Sequence, residues 1–273
     1  ALSKTQITGL TTSQVNSLTT DHLAAMSTSQ IRALTAAQVK ALNSDQIANL
    51  TTTAFSALAS TQIAAMTTTQ VAGFSTSQVA DLSTLQVRGL TAAQLSKMDT
   101  EQIASIETTD FAAMTSVQIA ALTTSQVNNL TTDQIVALST AQAKALTSAQ
   151  IGALTTSHLA AFETSDFAAM SPTQIAKMST SQIAGLASNL VEAMTTAQVA
   201  AMTTAQVDNL STENIAALSS TQVRALTANQ IKALDSAQIA SIGSDDFAAL
   251  TTAQLAAMTT AQAASLSSDL LSS

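Results

Sequence analysis

This 273-residue chain contains no cysteine, so neither disulfides nor thiolate metal sites are available to it. It has no tryptophan or tyrosine, and its nine lysines and arginines are scattered against seventeen acids, for a net charge of −8. Nucleic-acid binding needs clustered cations to displace counterions, usually with aromatics for stacking, so that class is set aside. Six dispersed glycines cannot form a phosphate-binding loop, and one proline, Pro172, leaves no Pro/Gly linker to divide the chain. Long apolar runs are missing as well. Thr, Ser and Gln interrupt the sequence too often for the ~18–20 consecutive apolar residues that a membrane-spanning helix requires. The chain opens on Ala rather than Met, with no basic-then-apolar leader, which reads as a processed product or an excised piece.

What is present is a single pattern, Leu-Thr-Thr-x-Gln-Val-x-Ala, repeated without insertion or deletion. Read from Ser3, it gives 33 full octads through Leu266 and a truncated 267–273. We label the positions p1 to p8. Position p8 is apolar in every octad, from Leu10, Leu18 and Met26 to Met258 and Leu266. Position p1 is Ser, Thr, Asp or Asn except at Ala59, Glu107, Glu163, Ala187 and Gly243. Position p4 is Gln in all but eight octads. A core position that recurs this strictly puts each octad in the environment of its neighbours, which is the mark of a solenoid.

Ser or Thr followed three residues later by Gln is a capping box, as in Thr11 with Gln14, Ser27 with Gln30 and Thr195 with Gln198. Each octad therefore announces a helix start. The apolar p5 and p8 lie three apart on one helical face, and the small residues at p7 suit close helix contacts. A strand would send p5 and p8 to opposite faces. One continuous helix would wind its apolar stripe by about 80° per octad around the rod. The chain must turn at each p8–p1 junction. The expected fold is all-α: a solenoid of about 33 octapeptide repeats, each a short Ser/Thr-capped helix with a corner at each junction. Residues 1–273 are expected to form a single continuous octapeptide-repeat solenoid with no internal boundary; no octad states how many of them make a coil. Helices this short do not stand alone in water, so coils must stack. The p4 glutamines are read as caps, with an inter-coil ladder as the less favoured alternative. Pro172 falls at the first helical position after Ser171, where proline is tolerated.

Departures from the pattern are organised. Phe takes p5 at Phe55, Phe111, Phe167 and Phe247, at intervals of seven, seven and ten whole octads. The stretches leading from Arg32, Arg88 and Arg224 to the next of these phenylalanines echo one another, so the array grew by in-register duplication of whole octads.

Each candidate site has a plainer role beside it. Asp110, Asp166 and Asp246, with Glu107 and Glu163 nearby, could make cation or contact sites; an acid in a first helical turn is also favoured by the helix dipole. No EF-hand loop or glycine-rich calcium nonapeptide accompanies them. His22 and His158 stand at p4, and with no third ligand in the sequence they read as substitutes for Gln. Asn49, Asn129 and Asn209 fit the glycosylation pattern, yet a Ser/Thr-rich repeat meets that pattern by coincidence. Arg32, Arg88 and Arg224, with Lys40, Lys144 and Lys232, read as a solvated p6 column. No serine has nucleophile context, and a uniform wall converges no unlike residues on one point, so enzyme activity is not expected. The assignment is no catalytic, cofactor-binding or metal residue, and no cofactor.

The octad, as in Leu130-Thr-Thr-Asp-Gln-Ile-Val-Ala, resembles repeat arrays of very long secreted or surface proteins of Gram-negative bacteria, over essentially the whole chain. That resemblance implies an extracellular or cell-surface stalk, adhesin-like segment or matrix component. The expected function is a non-enzymatic spacer or filament-forming element, self-associating into a filament or layer, with no nucleic-acid partner and no membrane span. The alternative is a binding or adhesion module whose repeat surface engages a peptide, a glycan or, less readily, ice.

Overall fold

A computed structural model describes residues 2–268 and 270; the rest of the truncated final repeat lies outside the described residues. The described chain holds 33 helices of four to six residues, one per full octad, and no strand. It divides into two compact units, Ala1–Ala137 and Leu138–Ser273.

Most helices begin as the capping box dictates. Thr11 Oγ1 accepts from the Gln14 amide N–H at 3.2 Å, while Gln14 Oε1 accepts from the Thr11 N–H at 2.8 Å. The same reciprocal pair frames Thr195 and Gln198, at 3.2 and 2.7 Å. Each helix ends when the p8 N–H turns back to the p5 carbonyl, as Leu42 does to Val39 at 3.2 Å. Where the helix runs to p7, p8 and the next p1 are both extended, with Leu42 at φ −60°, ψ 139° and Asn43 at φ −82°, ψ 168°. Among the described residues no φ is positive. These corners need no glycine, and the chain has few.

Within each unit the helices coil into a solenoid in which each packs on the one three octads away. Position p5 is buried from Ile7 through Phe247, and Val39, Phe111, Ile183 and Val199 are fully so. Position p8 closes the core beside it, and Phe55 and Phe74 meet edge to face with ring centroids 4.9 Å apart.

Hydrogen bonds between successive coils join residues 25 to 31 apart, centring on 28, or three and a half octads. The half octad has a physical reason. Helix C-termini leave carbonyls without intrahelical donors, and a half-octad offset sets the p4 glutamine of one coil above the helix end of the coil before it. Gln38 Nε2 donates to the carbonyls of Ile7 and Leu10, both at 2.8 Å. Gln198 Nε2 likewise reaches Phe167 O at 3.0 Å and Met170 O at 2.9 Å. A whole-number coil would stack donor over donor. Capping and laddering are thus two ends of one amide: the oxygen caps its own helix while the nitrogen ties down the coil before it.

Position p7 is small because it meets p2 of the preceding coil. A β-carbon on Gly89 would come within 2.7 Å of the Ser60 carbonyl, and one on Gly185 within 3.0 Å of Thr156 Cγ2.

Candidate functional site

The interior is spent on its own bonding. The p4 glutamines are buried from Gln38 onward and hydrogen-bonded at both ends of the amide, and among the described residues no buried side-chain nitrogen or oxygen lacks a partner. The outer wall is p1, p2, p3 and p6, mostly Thr, Ser and Ala.

The acids before phenylalanine take a role that spacing alone does not reveal. Asp110 Oδ1 accepts from Thr84 Oγ1 at 2.5 Å, Asp166 Oδ1 from Thr140 Oγ1 at 2.7 Å, and Asp246 Oδ1 from Ser220 Oγ at 2.6 Å. Each carboxylate has no N–H to donate to the carbonyls of the coil before it, so it accepts from a p2 hydroxyl 26 residues back. Asn214 shares that reach, pairing with Ser188 while its own nitrogen donates to Leu186 O. Glu107 and Glu163 head two of these octads without capping them through their side chains. Among the described residues no group of three or more His, Cys, Asp or Glu could hold a metal ion.

His22 and His158 stand where glutamine would. The Nδ1 of each accepts from the N–H of its octad's p1 threonine, Thr19 at 3.2 Å and Thr155 at 3.3 Å. That geometry requires an unprotonated Nδ1 and fixes the tautomer with hydrogen on Nε2. Asn49, Asn129 and Asn209 are exposed helix C-caps whose Nδ2 donates to the p3 carbonyl of the same octad at 2.8–2.9 Å. The hydroxyl residue that completes each glycosylation pattern, Thr51, Thr131 or Ser211, is itself an N-cap.

Of the basic p6 column, Arg32 does more than sit in solvent, donating from Nε to Ala57 O in the next coil at 3.1 Å. The other five p6 cations are exposed. Glu213, also exposed, has its pKa lowered from 4.5, first by its hydrogen bond to backbone and then by the Ser211 hydroxyl.

A cleft of about 340 Å³ lies over the first coil, bounded by Leu10, Leu18, His22 and Met26. Its walls are core positions and bring no reactive groups together. Two side clefts sit at corners where p1 departs from Ser or Thr, beside Ala59 and beside Glu107. Exposed apolar side chains are few and single, with Leu85 and Val117 at p3 the most open. Among the described residues no helix is long and apolar enough to cross a membrane.

Capped octads, a carbonyl ladder and an evenly polar wall define a helical octapeptide-repeat solenoid protein. The family model of the ALTTAQ repeat matches six times, at residues 20–52, 103–140, 159–195, 191–220, 212–243 and 239–273. The matches span more than half of the chain, which belongs to the ALTTAQ repeat family. Comparison with curated proteins gives no match.

Proposed function

We propose that this chain is a non-enzymatic structural element of the cell exterior: a surface spacer, stalk or filament-forming segment. The observation that supports this reading best is the two-ended use of p4. Each laddered glutamine ties a helix start to the coil before it, so the polar groups of the interior serve construction rather than chemistry. A solenoid assembled from nearest-neighbour contacts can be lengthened by whole octads without redesign, and the seven- and ten-octad duplications have the form of such growth. At 28 residues to a coil they amount to about two and about three coils, so a duplication returns nearly the same face to the same side. An evenly hydroxylated, sparsely charged wall suits a protein whose task is reach or assembly. Extracellular placement is the part of the reading that the resemblance to long secreted repeat arrays supports.

Immunogold labelling of intact and permeabilised cells of the source organism, with antibody against the folded array, tests this. Label on intact cells is expected, and removing residues 57–112, seven octads, should shorten the labelled structure without releasing it. Label confined to the interior would overturn the reading, as would a specific catalytic turnover by the purified chain.

A further inference from the structure

The 28-residue coil allows charges far apart in sequence to be placed on sides of the solenoid. In the first unit Lys4, Arg32 and Arg88 fall at one place in the coil, because one whole coil separates the first two and two whole coils separate the last two. Every charge of that unit can be projected onto the coil 88–115 by stepping through whole coils. Its cations then fall within 88–97 and its acids within 99–110, from Asp99 to Asp110. No acid falls among the cations. The second unit, projected by itself onto the coil 140–167, repeats the division. Its cations, Lys144, Lys177, Arg224 and Lys232, fall within 140–149, and its described acids fall within 151–166. A coil one residue shorter preserves the separation in both units. All nine cations are exposed, as are most of the acids.

We propose that each unit has a basic side and an acidic side, and that copies of this chain associate side by side through them, basic side against acidic side. The proposal deepens the assembly branch of the function above and rests on that reading for its biological sense. Its physics is separate. The two bands meet only at their margins, as where Lys97 stands two residues before Asp99, and a second copy laid alongside brings the remaining opposite charges together. The partner has the same coil spacing, so each coil of one copy finds a coil of the other in step. The net charge of −8 disfavours acidic-to-acidic contact, which leaves the basic-to-acidic arrangement. Such a contact uses different patches on the two partners, so each copy keeps a patch for the next, and a contact whose rotation does not close propagates as a row or layer. Individual surface ion pairs are weak, and the association draws on several at once.

Sedimentation of the full chain across protein concentration tests this, at low ionic strength and again at roughly 300 mM salt, where screening acts within a few ångströms. Mass above the monomer is expected at low salt, with at least about a tenfold weaker association at high salt. Lys40→Glu/Arg88→Glu/Lys97→Glu reverses the basic side, and Asp45→Lys/Glu101→Lys/Asp133→Lys reverses the acidic side. All six positions lie in the first unit, so each triple variant alone should associate at least about tenfold more weakly while keeping its helical circular dichroism, and mixing the two should restore it. Monomers under all conditions would overturn the side-to-side contact yet leave the spacer reading standing. Assembly that resists salt, or that either variant forms undiminished, would refute the charge basis. Binding to dextran sulfate by a chain that stays monomeric alone would assign the basic side to a polyanion instead.

Discussion

Gln198→Met separates the two ends of the p4 amide. Gln198 is fully buried and makes three hydrogen bonds: Oε1 from the Thr195 N–H at 2.7 Å, and Nε2 to Phe167 O and Met170 O at 3.0 and 2.9 Å. Methionine nearly matches glutamine in volume, so the loss is one of hydrogen bonds rather than of packing. At about 1 kcal/mol net per bond, and somewhat more where a buried group is orphaned, the substitution should cost roughly 2–4 kcal/mol. Gln14 is exposed, and its side chain bonds only to Thr11 of its own octad; Gln14→Met should cost about 0.5–1 kcal/mol. Glutamate sharpens the contrast. At Gln198 it keeps the cap but turns an oxygen toward two carbonyl oxygens, so Gln198→Glu should cost more than Gln198→Met. Gln14→Glu should be neutral or stabilising, because an acid there completes the capping box and faces the positive helix end. Repeat arrays need not unfold in one step, so the assay is native-state hydrogen exchange, read at the amides of residues 195–202 and 163–170. Equal costs at the two glutamines, or glutamate tolerated at Gln198, would refute the ladder as a source of stability.

Four further outcomes follow. Phe111→Ala should cost about 3–5 kcal/mol in chemical denaturation, since the ring is fully buried at p5. Gly89→Ala drives a β-carbon into the Ser60 carbonyl and should cost about 1–3 kcal/mol, whereas at Gly152, where the nearest atom is 3.6 Å away, Gly152→Ala should stabilise by about 0.5–1 kcal/mol; thermal melts of the pair give the comparison. Asp110→Gln supplies the N–H that the carboxylate lacks, and a gain of about 0.5–1.5 kcal/mol is expected as it reaches the carbonyls of the preceding coil; a loss would show that the Thr84 hydroxyl serves better. The pKa of Glu213 is lowered on folding by hydrogen bonds to the ionised form, so whatever it contributes is present above pH 4.5 and is lost as pH falls through the lower folded value. An NMR titration should show the Glu213 pKa rising toward 4.5 in Ser211→Ala.

Much of this fold was legible because its signals are local. The capping pair of Thr11 and Gln14 spans three residues, the p5–p8 face spans three more, and the corner follows from the phase error of a continuous helix. The small p7 residue announced close contact, and Gly89 against Ser60 is that contact. The coil length was not legible, because no octad states how far the next corner rotates. The ladder shared its glutamine with the cap, so the nearer explanation was preferred although the farther one also holds. Asp110 met the same difficulty: a first-turn acid has a sufficient local reason, and Thr84, 26 residues earlier, carries no mark of the pairing. The sorting of charge into two sides stayed hidden for the same cause, since Lys4, Arg32 and Arg88 are related only through the coil.

The central claim is that residues about 28 apart are neighbours across coils, and one cross-link tests it. The chain has no cysteine, so the pair Thr84→Cys/Asp110→Cys reports alone, at positions whose side chains meet in the structure. Rapid intramolecular disulfide formation is expected, with Thr84→Cys/Asp133→Cys remaining reduced under the same mild oxidation. In a continuous helix the first pair would lie about 39 Å apart. Failure of that pair to close in the folded monomer, or equal closure of both pairs, would contradict the stacked coil.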